Sequence, residues 1–388
     1  MFVYLDNSAT TKPYKEVIDV MVKYMQTYYG NPSSLHSMGL DAERAIKEAR
    51  KIIANSIKAK DEEIYFTSGG TEADNMAIFG AAQARRRRGN KIITSKIEHP
   101  AVLETCKNLE VLGFKVEYIP VDCNGIIDLS ALREALDEQT ILISVMQINN
   151  ELGSIQPITE IAEMKSNAEK KLKTEILLHI DAVQSFGKLP INVKDSSIDL
   201  ITISGHKIHG PKGVGALYIR KGLNIKPYLY GGGQERGLRS GTENVPAIAG
   251  FGVAVDLYMK NFEKRMETIQ SVRNYLEECI CSEIKDIRIN SPKDGSPAIL
   301  NVSFLGVRGE VILHTLEQSN IYVSTGSACS SKKRGQSHVL EAIGLSNTEI
   351  EGAIRFSFSE FNTIEEMDYV LINLKNAVDK FRKLGSFR

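Results

Sequence analysis

The chain has 388 residues, more than one hydrophobic core ordinarily serves, so a large domain with a smaller companion is expected. Its 48 basic residues balance 48 acidic ones, which removes any electrostatic case for nucleic acid or an anionic membrane as a direct partner. No apolar run reaches the roughly 20 residues that span a bilayer, five irregularly spaced cysteines argue against a disulfide framework, and the opening MFVYLDNSAT lacks the basic-then-apolar pattern of a signal segment, so a cytoplasmic protein handling a small molecule is expected.

Apolar runs that stop in polar or glycine-rich turns alternate with helix-period segments: EIYFTSGG, KIITSKIEH, KVEYIPVD, ILISVMQINN, ILLHIDAVQ and IDLITISGHK. This alternation predicts a large α/β domain over residues 16–250, with a mostly parallel sheet wrapped by helices. Open sheets of that kind bind ligands where their strands stop, and all six runs are read as ending in candidate site residues. Arg85 to Arg88 follow the TEADN helix and suit its negative C-terminal end. From about Phe251 a long helical stretch and then short strands and helices predict a smaller α+β domain, residues 251–388, onto which residues 1–15 pack. Cys279 and Cys281 stand in a helix end with no second ligand pair nearby, so no metal site is expected.

Four motifs carry chemistry. In TSGGTEADN a strand gives way to a helix, and the N–H groups of Gly70 and Thr71 face any anion at the helix start. In ISGHKIHGPKG a strand ends on Ser204, His206 and Lys207, two phosphate-capable donors beside a lysine. A strand-end lysine with those neighbours is suited to a Schiff base, although most lysines simply face solvent. In HIDAVQSFG, Asp181 ends a buried strand and Gln184 follows in reach of the same crevice; a carboxylate there either caps a helix or keeps a pyridinium nitrogen protonated. His99 in SKIEHPAV is either a satisfied core histidine or an imidazole that stacks on a ring and moves protons.

Together with YLDNSATT, NPSSLHSMG, INNELG, GGGQERGLRSGTEN, STGSACSS and IRFSF, these motifs make the chain resemble the aspartate-aminotransferase-like superfamily of pyridoxal-phosphate enzymes, and within it the cysteine desulfurases, nearly end to end. The resemblance implies pyridoxal 5'-phosphate as cofactor, Lys207 as its Schiff-base lysine, Asp181 as the pyridinium partner and His99 as the stacking histidine. It implies Gly70, Thr71, Ser204 and His206 as phosphate ligands, and Gln184 and Asn150 as contacts of the ring and its substituents. Thr242 matches a threonine that reaches the phosphate of a neighbouring subunit, so a homodimer is implied. Arg355, helped by Asn150, matches the ligand of the substrate carboxylate, for which a planar bidentate donor is well suited. Cys329 matches the sulfur acceptor, where a thiolate is the fitting nucleophile.

The implied reaction converts L-cysteine to L-alanine, leaves a persulfide on Cys329, and passes sulfur to an acceptor protein. The stretch around Cys329 resembles the longer form of the family's sulfur loop but carries Lys332, Lys333 and Arg334 where small and acidic residues are commoner. An iron–sulfur scaffold or a tRNA-thiolation enzyme is the expected acceptor. Selenocysteine lyase, an aminotransferase on the same fold, and a cofactor-free interaction protein are the alternatives.

Overall fold

The computed structural model describes residues 1–194, 196–325 and 337–385. Cys329 and Lys332 to Arg334 lie outside the described residues. The strands are β1 (Val3–Tyr4), β2 (Ile64–Thr67), β3 (Lys91–Ser95), β4 (Lys115–Ile119), β5 (Thr140–Met146), β6 (Leu177–Asp181), β7 (Leu200–Ser204), β8 (Gly215–Ile219), β9 (Ile287–Ile289), β10 (Ile299–Phe304), β11 (Ile321–Tyr322) and β12 (Ala353–Ser357). The six apolar runs form β2 to β7.

β2 to β8 make one seven-stranded sheet in the order β2-β8-β7-β6-β5-β3-β4. Its neighbours are parallel except for β8, which runs antiparallel to both β2 and β7. The connection from Ser204 to Gly215 holds no room for a crossover helix, so the chain returns antiparallel. Consecutive residues along each strand serve opposite cores. Ile92, Leu142, Leu177, Leu200 and Leu217 pack with the helices Gly70–Arg85 and Pro100–Val111. Ile93, Ile143, Leu178, Ile201 and Tyr218 pack with Ser37–Ser56, Ile158–Leu172 and Val245–Lys260. With both faces covered, β5, β6, β7 and β8 are buried at every position, which is why they read as mostly apolar runs; the polar Ser144, His179 and Thr202 within them bond one another.

A second core joins the antiparallel sheet β12-β10-β9 to the helices Phe262–Glu283, Gly309–Gln318 and Ile364–Gly385. Val3 and Leu5 belong to this core, and β1 pairs in parallel with β11. The helix Val245–Lys260 spans the expected domain boundary at residue 250, and its Phe251, Ala254, Val255 and Tyr258 all pack in the first core. Its small residues are the reason: Gly252 lies so close to the helix Ser37–Ser56 that a Cβ there would stand 2.8 Å from the Cβ of Ala49.

One glycine sets the turn beneath the ligand crevice. Gly187 has φ +75°, and a Cβ on it would fall 2.4 Å from the Tyr258 ring. We expect Gly187→Ala to lower the free energy of unfolding by about 2–3 kcal/mol, through strain and overpacking together, as read by urea denaturation.

Candidate active site

A cavity of about 380 Å³ opens at the carboxyl ends of β2, β3, β5, β6 and β7, and its lining includes Gly70, Thr71, His99, Asn150, Asp181, Gln184, Ser204, His206, Lys207 and Arg355. The sixth expected strand end, that of β4, contributes nothing to it. β4 is the edge strand, one position beyond the crevice. Thr242 is exposed and does not line the cavity.

Each side chain is aimed by its element. The helix Gly70–Arg85 starts at the crevice, so its unpaired N–H groups face inward. Beside it the buried Ser204 hydroxyl has no hydrogen-bond partner among the described residues. Asp181 is the last residue of β6, accepts from the Val183 N–H at 2.9 Å, and is pushed up to about 6 by burial. His99 caps the helix Pro100–Val111, its Nδ1 accepting from the Ala101 N–H at 3.1 Å, which leaves its proton on Nε2. Burial, and then the nearby charges of Lys207 and His338, push it down to about 4, so the ring is neutral at physiological pH. His206, also pushed down to about 4 by burial, shares a hydrogen bond with the Thr10 hydroxyl at 3.2 Å.

Lys207 follows β7 in a single short helical turn. Its Nζ donates to the carbonyls of Ser8 at 2.5 Å and Ala9 at 2.9 Å. The same Ser8 carbonyl accepts from the Gln184 amide at 2.9 Å, and the Thr11 hydroxyl donates to the His206 carbonyl at 3.0 Å. This N-terminal segment was not among the site residues read from the sequence, because main-chain carbonyls leave no mark in a residue pattern.

Three buried acids were missed as well. Asp74 lines the cavity, and its position three residues after Thr71, on the same helix face, was the available signal. It is pushed well above the usual carboxylate range by burial and then by the charge of Asp181. The buried His179 stands between the Ser144 hydroxyl at 2.8 Å and the Thr202 hydroxyl at 3.0 Å, with Asp74 Oδ1 3.7 Å away. Glu98, fully buried, accepts from Ser95 at 2.5 Å and is pushed up to about 8 by burial. Glu151 lines the cavity, accepts from the Ser337 hydroxyl at 2.6 Å and is raised to about 7 for the same reason.

The donor set fits pyridoxal phosphate. An unpartnered hydroxyl beside a helix N-terminus suits a phosphate, a buried carboxylate suits a pyridinium nitrogen, and a lysine at the same cavity suits an aldehyde. Arg85 and Arg88, in contrast, spend their charge on Glu175 rather than on a ligand.

The model of the aminotransferase class-V family matches residues 3–370. A cysteine desulfurase IscS from Dictyoglomus turgidum is 45% identical over 387 residues, covering 100% of this chain and 97% of that protein. One from Methanosarcina thermophila is 47% identical over 383 residues, covering 99% and 93%. Among solved structures, a NifS-like protein superposes with a TM-score of 0.91 at 40% identity, covering 98% of this chain and all of that one. SspA in complex with cysteine gives a TM-score of 0.81 at 37% identity, covering 93% and 100%.

Glu98, buried behind the cavity wall next to His99, makes the effect of burial on an acid measurable. Between about pH 4.5 and 8 the folded chain keeps a proton on Glu98 that the unfolded chain has released, so the contribution to stability is full below 4.5 and is lost as pH rises through 8. Glu98→Gln is therefore expected to gain stability relative to the parent as pH rises across that window, measured by urea unfolding at successive pH values. A difference that stays constant with pH would contradict the assignment.

Proposed function

The chain belongs to the aminotransferase class-V family, and we propose that it works there as a pyridoxal-phosphate-dependent cysteine desulfurase, converting L-cysteine to L-alanine and handing the sulfur on. The observation that carries this reading is the convergence of Lys207, Asp181, His99, Ser204 and Arg355 on one cavity from strand ends and segments far apart in the chain.

Lys207 would hold the cofactor's aldehyde carbon, Asp181 its ring nitrogen, His99 its ring face, and Gln184 and Asn150 its substituents; Gly70, Thr71, Ser204 and His206 would hold the phosphate. When bound, pyridoxal phosphate supplies a protonated ring that accepts electrons from the substrate's α-carbon. Lys207 takes the α-proton at Nζ, and the carbonyls of Ser8 and Ala9 stabilise the ammonium that results. His99, neutral and carrying its proton on Nε2, relays protons without adding positive charge to the pocket. Arg355, 4% exposed, receives the substrate carboxylate with Asn150 beside it.

Cys329 is assigned by its sequence match alone. Its thiolate attacks the substrate sulfur, a sulfur–sulfur bond forms as the carbon–sulfur bond breaks, and the electron pair stays with the carbon, which takes up a proton to become alanine. The balance is one cysteine and one thiol in, one alanine and one persulfide out. The persulfide then goes to an acceptor protein, an iron–sulfur scaffold or a tRNA-thiolation enzyme.

A homodimer and a cytoplasmic location complete the proposal. Thr242 is exposed and off its own chain's cavity, which supports a role at another subunit, and large apolar side chains are exposed nearby in sequence at Tyr228, Leu229 and Tyr230, and again at Met25, Tyr29 and Leu35. The cysteines among the described residues are free thiols, the state a reducing compartment maintains. No helix among those residues is long and apolar enough to cross a membrane.

Cys329→Ser is expected to retain the cofactor's visible absorption band but to release no alanine from L-cysteine. Lys207→Ala is expected to lose that band and to lower turnover by about 10²–10⁴-fold or more. Undiminished alanine release from Cys329→Ser would sink the desulfurase reading.

A further inference from the structure

The guanidinium of Arg355 is incompletely used by the protein. Its Nη1 donates to the Asn150 carbonyl at 2.9 Å and its Nη2 to Oδ1 of Asp6 at 2.8 Å, whereas the buried Nε has no acceptor among the described residues. Arg355 and Asn150 line the cavity; Asp6 does not. The carboxylate of Asp6 therefore grips the arginine from outside the space a substrate would enter.

Asp6 owes its place to main-chain bonds. Asp6 bridges Ser357 in parallel, the Ser357 N–H donates to the Leu5 carbonyl at 2.7 Å, and the Asn7 N–H donates to the Ser357 carbonyl at 3.3 Å. Ser357 and Arg355 lie two residues apart on β12, on the same face of the strand. Docking of the N-terminal segment thus delivers one acid to one arginine. Glu151, the nearest other acid of the cavity wall, is pushed up to about 7 by burial and is already bonded to Ser337.

We propose that Asp6 is a positioning and specificity residue for the substrate's α-carboxylate, a resident counter-ion that fixes the Arg355 guanidinium and leaves its second Nη hydrogens for one incoming carboxylate. The inference rests on the reading of Arg355 as the carboxylate ligand and deepens it. A buried guanidinium keeps its charge, and without a partner that charge would be costly. With Asp6 in place the arginine is both balanced and oriented before substrate arrives, so binding orders fewer side-chain torsions. The balance also sets specificity. A zwitterionic amino acid brings its own ammonium to the cavity and places its single carboxylate on the guanidinium hydrogens that Asp6 and Asn150 leave over. A second acidic group on the substrate finds no uncompensated cation there.

The test uses the cofactor-loaded enzyme and the variants Asp6→Asn, Asp6→Ala and Arg355→Ala. Affinities for L-alanine and for cysteamine, an amine without a carboxylate, are read from the visible absorption of the bound cofactor, alongside KM and kcat for L-cysteine. Asp6→Asn is expected to weaken L-alanine and to raise the KM for L-cysteine by about tenfold, the size of one hydrogen bond to a charged group. Cysteamine binding should change by under about twofold, and kcat should fall much less than KM rises. Equal weakening of both ligands, or of neither, overturns the proposal; if Asp6→Ala fails to fold, the near-isosteric Asp6→Asn carries the comparison. Should Arg355→Ala bind L-alanine as the parent does, the carboxylate reading and this inference fall together. Should Arg355→Ala lose L-alanine while Asp6→Asn keeps it, only the counter-ion role falls.

Discussion

The site depends on the main-chain zipper between residues 5–8 and Ser357 of β12. It is a few hydrogen bonds long: Ser357 to Leu5, Asn7 to Ser357, and the Ser8 N–H to the Ser357 hydroxyl at 2.9 Å. By anchoring the turn that follows Asp6 beside the large sheet, it presents the Ser8 and Ala9 carbonyls to Lys207, the Ser8 carbonyl to Gln184, the Thr10 hydroxyl to His206 and the Asp6 carboxylate to Arg355. Main chain suits this task, since a carbonyl in a turn closed by the Ala9 N–H on the Asp6 carbonyl has no rotamer to lose.

The electrostatics follow from burial more than from pairing. Asp181, Asp74, Glu98 and Glu151 are all raised chiefly by desolvation, while His99, His179 and His206 are lowered by it. Both effects drive the pocket toward neutral groups. A cavity kept so is poised for a ligand that brings charge of its own, since each charge it delivers meets fixed dipoles and little competing water.

Much of this was legible in the sequence, for a physical reason. Strands buried on both faces are mostly apolar, so the polar and glycine-rich motifs where the runs stop point to the crevice; Asp181, Ser204, His99 and Gly70 all stand in such motifs. What escaped has equally physical causes. β8 was hidden because antiparallel return depends on the shortness of the Ser204–Gly215 link, not on a pattern within GALYI. The division at 250 missed the unity of the helix Val245–Lys260, whose small residues signal a close helix pair rather than a boundary. Asp74 went unread although it stands three residues after Thr71 on the same helix face, and the Ser8 and Ala9 contribution uses atoms that every residue possesses. The roles of Thr242 and Cys329 rest on motif likeness, since Thr242 lies off the cavity and Cys329 outside the described residues.

The pairing of β1 with β11 and of Asp6 with Ser357 has a consequence for the order of biosynthesis. Residues 3–6 leave the ribosome long before their partners in β11 and β12, whereas the strands of the large sheet are complete by Ile219. During translation that segment must wait, solvated and unpaired, while the large domain folds. A nascent chain that has not yet reached β12 is able to shape the crevice but still lacks Arg355, the docked Asp6 and the clamp on Lys207.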